Sequence, residues 1–244
     1  MKIPKRISPD NLKDSIVQIL FNSDVQPELF LGVFSRVFNE DFTFTGTFPQ
    51  KKELKIGEKQ EIIFEKFDKG FFLDMKKEIK VDVTGNSVIF NMFKNYIGWE
   101  NYFPLINKTI KTLFEGGFIK EINRIGIRYI SQFDNISLID NLNMNLSLDI
   151  PNKNLESTQI RTEYIENEFK IILTLINRIR NPEDSKTNSR TNTSIIDIDV
   201  IQVAENMNNS HLALEAILNG HQKQKSTFFS LLRPSFLETL KPEY

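Results

Sequence analysis

Three stretches of this chain carry large apolar residues at helical spacing, and the runs between them alternate apolar and polar residues, so helices must pack on sheets. In the first stretch Leu29, Phe30, Val33, Phe34, Val37 and Phe38 recur at steps of three and four. Tyr102, Phe103, Ile106, Ile110, Leu113 and Phe114 form a second stripe, and Leu214, Leu218, His221, Phe228 and Leu232 a third. A helix with one apolar stripe needs another surface to cover that stripe, and a half-buried sheet supplies one. The expected class is α+β, as two similar halves, each an antiparallel sheet with helices on one face. The halves would be residues 1–116 and 117–244, or both would merge in one compact domain.

Local patterns fill in this order. A β-branched run predicts a strand over 14–22, and Pro27 opens the first helix, with Ser23 or Asp24 as possible caps. Period-two patterns over 61–67, 70–75, 78–83 and 87–93 predict a meander, with turns at Asp68-Lys69-Gly70 and Thr84-Gly85-Asn86. A helix follows over 99–114, with Pro104 in its first turn and Glu115-Gly116-Gly117 stopping it. The second half repeats strand, helix, strands and helix. Its strands are expected at 119–133, 144–150, 159–165, 169–178 and 193–203, with a short helix at 137–142 and a long one from 211 to about 231. Residues 181–192 contain no large apolar residue and read as a mobile hairpin tip.

Composition removes several chemistries. The chain has no cysteine, which excludes disulfides, thiolate nucleophiles and cysteine-ligated zinc or iron–sulfur centres. Its 31 Lys and Arg against 32 Asp and Glu leave a net charge of -1, with no basic excess to hold nucleic acid or an anionic membrane. Two histidines, His211 and His221, are too few for a three-histidine metal site. No Walker loop, G-x-G-x-x-G, G-x-S-x-G or H-E-x-x-H occurs. The N-terminal basic residues are not followed by an apolar core segment, and no run of about 18 apolar residues occurs, so a cytoplasmic protein without membrane or cofactor is expected. The 21 Phe, with abundant Ile, Asn and Lys, look like the codon bias of an AT-rich genome.

Two strands carry paired charges. In Arg124-Ile125-Gly126-Ile127-Arg128-Tyr129-Ile130, both arginines share one face while Ile125, Ile127 and Tyr129 share the other. They could hold an anion, or they could be ion-pair partners on a half-exposed sheet. Asp197 and Asp199 likewise share a face with Ile195, Ile201 and Val203. They could hold Mg²⁺ at a nuclease-type site, but pairing with arginine is the simpler role, and no metal is expected. Both strands are apolar enough to lie inside a sheet system, so at least one Arg–Asp pair is expected. On its helical stripe His221 reads as a hydrogen-bonded core residue, and Trp99, beside Tyr96 and Tyr102, as a core anchor.

These segments together, with Ser15-Ile16-Val17-Gln18-Ile19-Leu20-Phe21, Tyr96-Ile97-Gly98-Trp99-Glu100 and Leu218-Asn219-Gly220-His221 followed by Phe228 or Phe229, resemble a sporadically distributed family of uncharacterised prokaryotic proteins of about this length. The most specific element is the Arg-Ile-Gly-x-Arg-Tyr strand, although Ser131 stands where that family often has Asn. The resemblance implies one shared architecture and a gene that is gained and lost, as in mobile-element, toxin–antitoxin or phage-defence settings. It brings no activity and no catalytic residues. The expected function is therefore a non-enzymatic binding protein with a protein partner, with homo-oligomers left open. The alternative is an RNA- or DNA-processing protein, either a ferredoxin-like endonuclease or a metal-dependent nuclease using Asp197 and Asp199.

Overall fold

The computed structural model describes residues 2–38, 42–55, 61–146, 157–180 and 192–244. Among them run β1 (Leu12–Asn22), α1 (Pro27–Val37), β2 (Thr43–Lys55), β3 (Glu61–Asp74), β4 (Ile79–Thr84), β5 (Ser87–Met92) and α2 (Trp99–Glu115). There follow β6 (Glu121–Asp134), α3 (Leu138–Asn141), β7 (Thr158–Glu166), β8 (Phe169–Arg180), β9 (Asn192–Met207), α4 (Ser210–Leu231) and α5 (Pro234–Thr239). Hydrogen-bonded neighbours follow the order β2-β3-β4-β5-β1-β6-β9-β8-β7. The registered pairs β2–β3, β3–β4, β4–β5, β7–β8 and β8–β9 are all antiparallel. The class is α+β, built on an antiparallel sheet.

Several local expectations change. The turn at Asp68-Lys69-Gly70 does not form, because β3 runs straight through it while paired with β2 at Phe48↔Lys69 and Thr47↔Gly70. A turn dipeptide reverses the chain only where no partner strand holds it extended, and β2 supplies that partner. The reversal comes after β3, where Asp74 Oδ1 accepts the Lys76 and Lys77 amides at 2.9 and 3.0 Å and Glu78 takes φ 56°. Neither Ser23 nor Asp24 caps α1. Gln26 is the N-cap, followed by Pro27, while Ser23 Oγ accepts the Val25 amide at 2.9 Å and donates to the Phe118 carbonyl at 2.6 Å.

Pro104 lies past the first turn of α2, inside the helix. The Gly116-Gly117 stop is a Schellman end: Gly117 takes φ 65°, its amide bonds Phe114 O at 3.0 Å, and the Phe118 amide bonds Leu113 O at 2.9 Å. Of the strand expected at 144–150, residues 144–146 are not in a strand and the remainder lies outside the described residues, as do residues 181–191 of the expected hairpin tip. Helix α5 was not foreseen.

The chain forms two compact units. One comprises Met1–Ser15, Gly126–Gln202 and Leu218–Tyr244, and the other Ile16–Ile125 and Val203–Ile217. The expected boundary at 116/117 falls inside the second of these. In the first unit, Ile171, Leu173 and Leu175 of β8 face Val200, Ile198 and Ile196 of β9 in register. These side chains are buried with Phe133 of β6, Leu138 of α3, Phe228 of α4 and Phe236 of α5. In the second unit, Phe34 and Phe38 of α1 pack on Phe72 of β3, with ring centroids 6.4 and 5.3 Å away. The apolar stripe of α2, including Tyr102, Ile106, Ile110 and Leu113, is also buried.

Candidate functional site

Strand β6 separates its residues as period two requires. Ile125, Ile127 and Tyr129 are buried, while Arg124 is half-buried and Arg128 exposed. Strand β9 does the same: Ser194, Ile196, Ile198 and Val200 are buried, and Ile195, Asp197 and Asp199 half-buried. The structure joins Arg128 to Asp197 in a bidentate pair, Nε donating to Oδ1 at 2.9 Å and Nη2 to Oδ2 at 2.7 Å. The planar guanidinium matches the carboxylate with two parallel bonds, which fixes geometry as well as charge. The pair lies at the surface, with side-chain exposures of 45% for Arg128 and 17% for Asp197.

Two further acids act on the same guanidinium. Hydrogen bonding to Asp197 raises the pKa of Arg128 above its ordinary value, partial burial opposes this, and the charges of Asp197, Asp199 and Asp14 add to the rise. Asp14, on β1, has its own pKa raised by burial, against the lowering influence of Arg128. Sequence reasoning missed Asp14. Its signal was its parity with Leu12, which puts it on the half-exposed face of β1, but only the strand order brings that face to β6. Arg124 has a different partner: its Nη1 donates to Gln18 Oε1 of β1 at 2.5 Å. The two arginines therefore do not converge on one anion.

Because the Arg128–Asp197 pair is partly exposed, its net worth is about 1 kcal/mol, well under the cost of opening a deeply buried pair. A double-mutant cycle on Arg128→Ala and Asp197→Ala, read by urea unfolding, is expected to show a coupling of about 1 kcal/mol. The same cycle with Asp199→Ala should give a smaller one. Strict additivity for Arg128 and Asp197 would show that the pair does not form in solution.

His221 lies on the buried stripe of α4, but that stripe differs from the expected one. Leu218 is 39% exposed, whereas Ala213, Ile217, Gln224 and Thr227 are buried. Small residues permit close approach: a Cβ added to Gly220 would lie 3.0 Å from Ile127 Cδ1. Beside that contact the Tyr129 hydroxyl is 3.0 Å from His221 Nδ1 in a buried hydrogen bond. Burial, and secondarily the charge of Lys225, push the His221 pKa down to about 4. The imidazole is neutral near pH 7 and shares a buried hydrogen bond with a phenol. Tyr129 was the readable signal here, as a phenol among the buried Ile125, Ile127 and Phe133 of its strand face.

Trp99 opens α2, stacked on Phe103 with centroids 5.4 Å apart and edge-on to Tyr102 at 6.1 Å. The residue before it, Gly98, takes φ 88°, a conformation that disfavours any side chain. Among the described residues no group of three or more His, Asp or Glu is placed to hold a metal ion. A cavity of about 220 Å³ beside α2 is lined by Val37, Phe38, Ile79, Leu105, Lys77 and Lys108 among others. It is smaller than the roughly 300–1,000 Å³ usual for small-molecule sites, and Lys108 Nζ already donates to the Val37 carbonyl at 2.8 Å. No described helix is long and apolar enough to cross a membrane. No protein-family model matches the chain, and no curated protein matches it.

Proposed function

We propose that this chain is a non-enzymatic binding protein that docks a partner protein on the half-exposed sheet face around Arg128 and Asp197. One observation carries the reading: that face combines apolar residues with a fixed charged clasp. Ile176 and Ile195 stand directly opposite each other, Thr174 lies opposite Asp197, and Ile172 opposite Asp199. All are half-buried, while the opposite faces of the same strands fill the core. Apolar surface interrupted by oriented charge is the composition of a partner-binding patch, in which the charges set register and the isoleucines supply the area. The resemblance to a gained-and-lost family supports a cytoplasmic role within a defence or toxin–antitoxin locus, and the repeated order of strands and helices supports an origin from two similar halves.

The test is co-expression of the tagged chain with the proteins encoded beside its gene. A complex is expected with one of them, and Ile172→Arg should weaken it at least tenfold while leaving the circular dichroism spectrum unchanged. Failure to form a complex with any neighbouring product would reject the reading. So would Mg²⁺-dependent cleavage of RNA or DNA that is lost in Asp197→Asn, which would establish the nuclease alternative.

A further inference from the structure

Strand β7 ends the sheet order and, among the described residues, is paired along one side only, with β8. Of its nine residues, Thr158–Glu166, all but Thr158 and Ile160 are exposed, including Ile165 at 79% and Tyr164 at 38%. An open edge of this length presents unpaired amides and carbonyls to any chain that can add a strand. Its side chains are also sorted by face. Ile160, Thr162 and Tyr164 lie opposite Leu175, Leu173 and Ile171, on the core side, whereas Gln159, Arg161, Glu163 and Ile165 take the outer side with Ile176, Thr174, Ile172 and Lys170.

We propose that β7 pairs antiparallel with β7 of a second copy of this chain, across a two-fold axis at Thr162. This partner is separate from the one docked on the sheet face, and the pairing does not depend on that reading. The register follows from parity and charge. A two-fold that keeps the cores of both copies on the same side of the sheet must pair residues whose numbers sum to an even value, so the axis passes through a residue. An axis at Arg161 would set Arg161 against its own copy, and an axis at Glu163 would do the same with two carboxylates; both are unfavourable. An axis at Thr162 sets Arg161 against Glu163 of the second copy twice, and Ile160 against Tyr164 twice. Because Thr162 is the midpoint of the strand, it also gives the longest overlap, with all nine residues paired.

Within one copy Glu163 is already held by Arg161 and, at 2.6 Å, by Lys170, so its carboxylate is fixed on the outer side where the second copy's arginine would arrive. One strand pair buries less than a standard interface, so the association is expected to be weak and concentration-dependent.

Absence of cysteine makes the test direct, because Thr162→Cys would introduce the sole thiol of the chain. Opposite residues in an antiparallel pair lie about 4.5–5.5 Å apart between Cα atoms, within reach of a disulfide. Mild oxidation of Thr162→Cys should give covalent dimer at least tenfold faster than oxidation of Ile165→Cys, whose partner would be Gln159. In sedimentation velocity at rising concentration, Arg161→Glu and Glu163→Arg should each weaken dimerisation at least tenfold, and the double exchange should restore it. All four positions are exposed, so unchanged circular dichroism establishes that the variants fold. A wild-type monomer at every concentration would overturn the proposal and assign the charges of β7 to blunting a free edge. Equal cross-linking at 162 and 165, or a dimer indifferent to the charge exchange, would also overturn it.

Discussion

Phe133→Ala is expected to lower the free energy of unfolding by about 3–5 kcal/mol, a large part of the 5–15 kcal/mol typical of a domain. Phe133 is fully buried, its ring centroid 5.7 Å from that of Phe236, in the layer that joins β6, β8 and β9 to α3, α4 and α5. Removing the ring loses its transfer free energy and opens a cavity that flanking elements cannot easily close. The sheet holds one wall, and α5 is tied back through the Arg233 amide to the Asn141 carbonyl at 3.0 Å. Ile172→Ala, on the half-exposed face of β8, should cost about 1 kcal/mol or less, since little water-excluded volume is lost there. Urea unfolding of both variants by circular dichroism decides the matter. A loss below about 1 kcal/mol for Phe133→Ala would mean that this layer does not pack as described.

The contrast between these two positions shows what the sequence could reveal. Alternation is local, so the faces of 124–130 and 195–200 were readable from the residues themselves, and so were the helices that begin at Pro27 and Trp99. Register is not local. That Arg128 meets Asp197, while Arg124 turns to Gln18, depends on which strands neighbour β6 and how they are offset, and no spacing within either segment contains that information. Strand β2 was hidden for a related reason: its second half, Gln50-Lys51-Lys52-Glu53-Leu54-Lys55, has little apolar character, and it is extended because β3 pairs with it. Helix α4 misled in the opposite direction. Large apolar residues drew attention to Leu214 and Leu218, yet the buried side is marked by Ala213, Ala216 and Gly220, where small size and close approach count for more than hydrophobicity. Helix α5 is only six residues long, too short for periodicity to show, although Pro234 at its start and the buried pair Phe236 and Leu237 are its signature.

The buried histidine sets a second large effect, on acid stability. His221 is 5% exposed and has its pKa pushed down to about 4, whereas in the unfolded chain it titrates near its ordinary value of 6.5. Between those values the unfolded chain takes up a proton that the folded chain refuses. The stability contributed is therefore fully present above pH 6.5 and is lost progressively as the pH falls towards 4. The interval corresponds to about 3 kcal/mol, with a limiting slope of about 1.4 kcal/mol per pH unit. Asp10 and Asp14 act with the opposite sign: burial raises both, so the fold binds their protons above the unfolded value of 3.8 and gains stability as the pH falls through their folded values. Their windows begin at 3.8 and extend upward, so they offset part of the histidine loss near its acid end. Urea unfolding of the wild type and His221→Gln between pH 7 and 4.5 isolates the imidazole, since the carboxylates are common to both. The wild type should lose stability more steeply by close to one proton, and its His221 ring resonances should stay at neutral positions down to pH 5. Equal slopes in the two proteins, or a His221 titration midpoint near 6.5, would show that the imidazole is hydrated and that the Tyr129 contact does not hold it in the core.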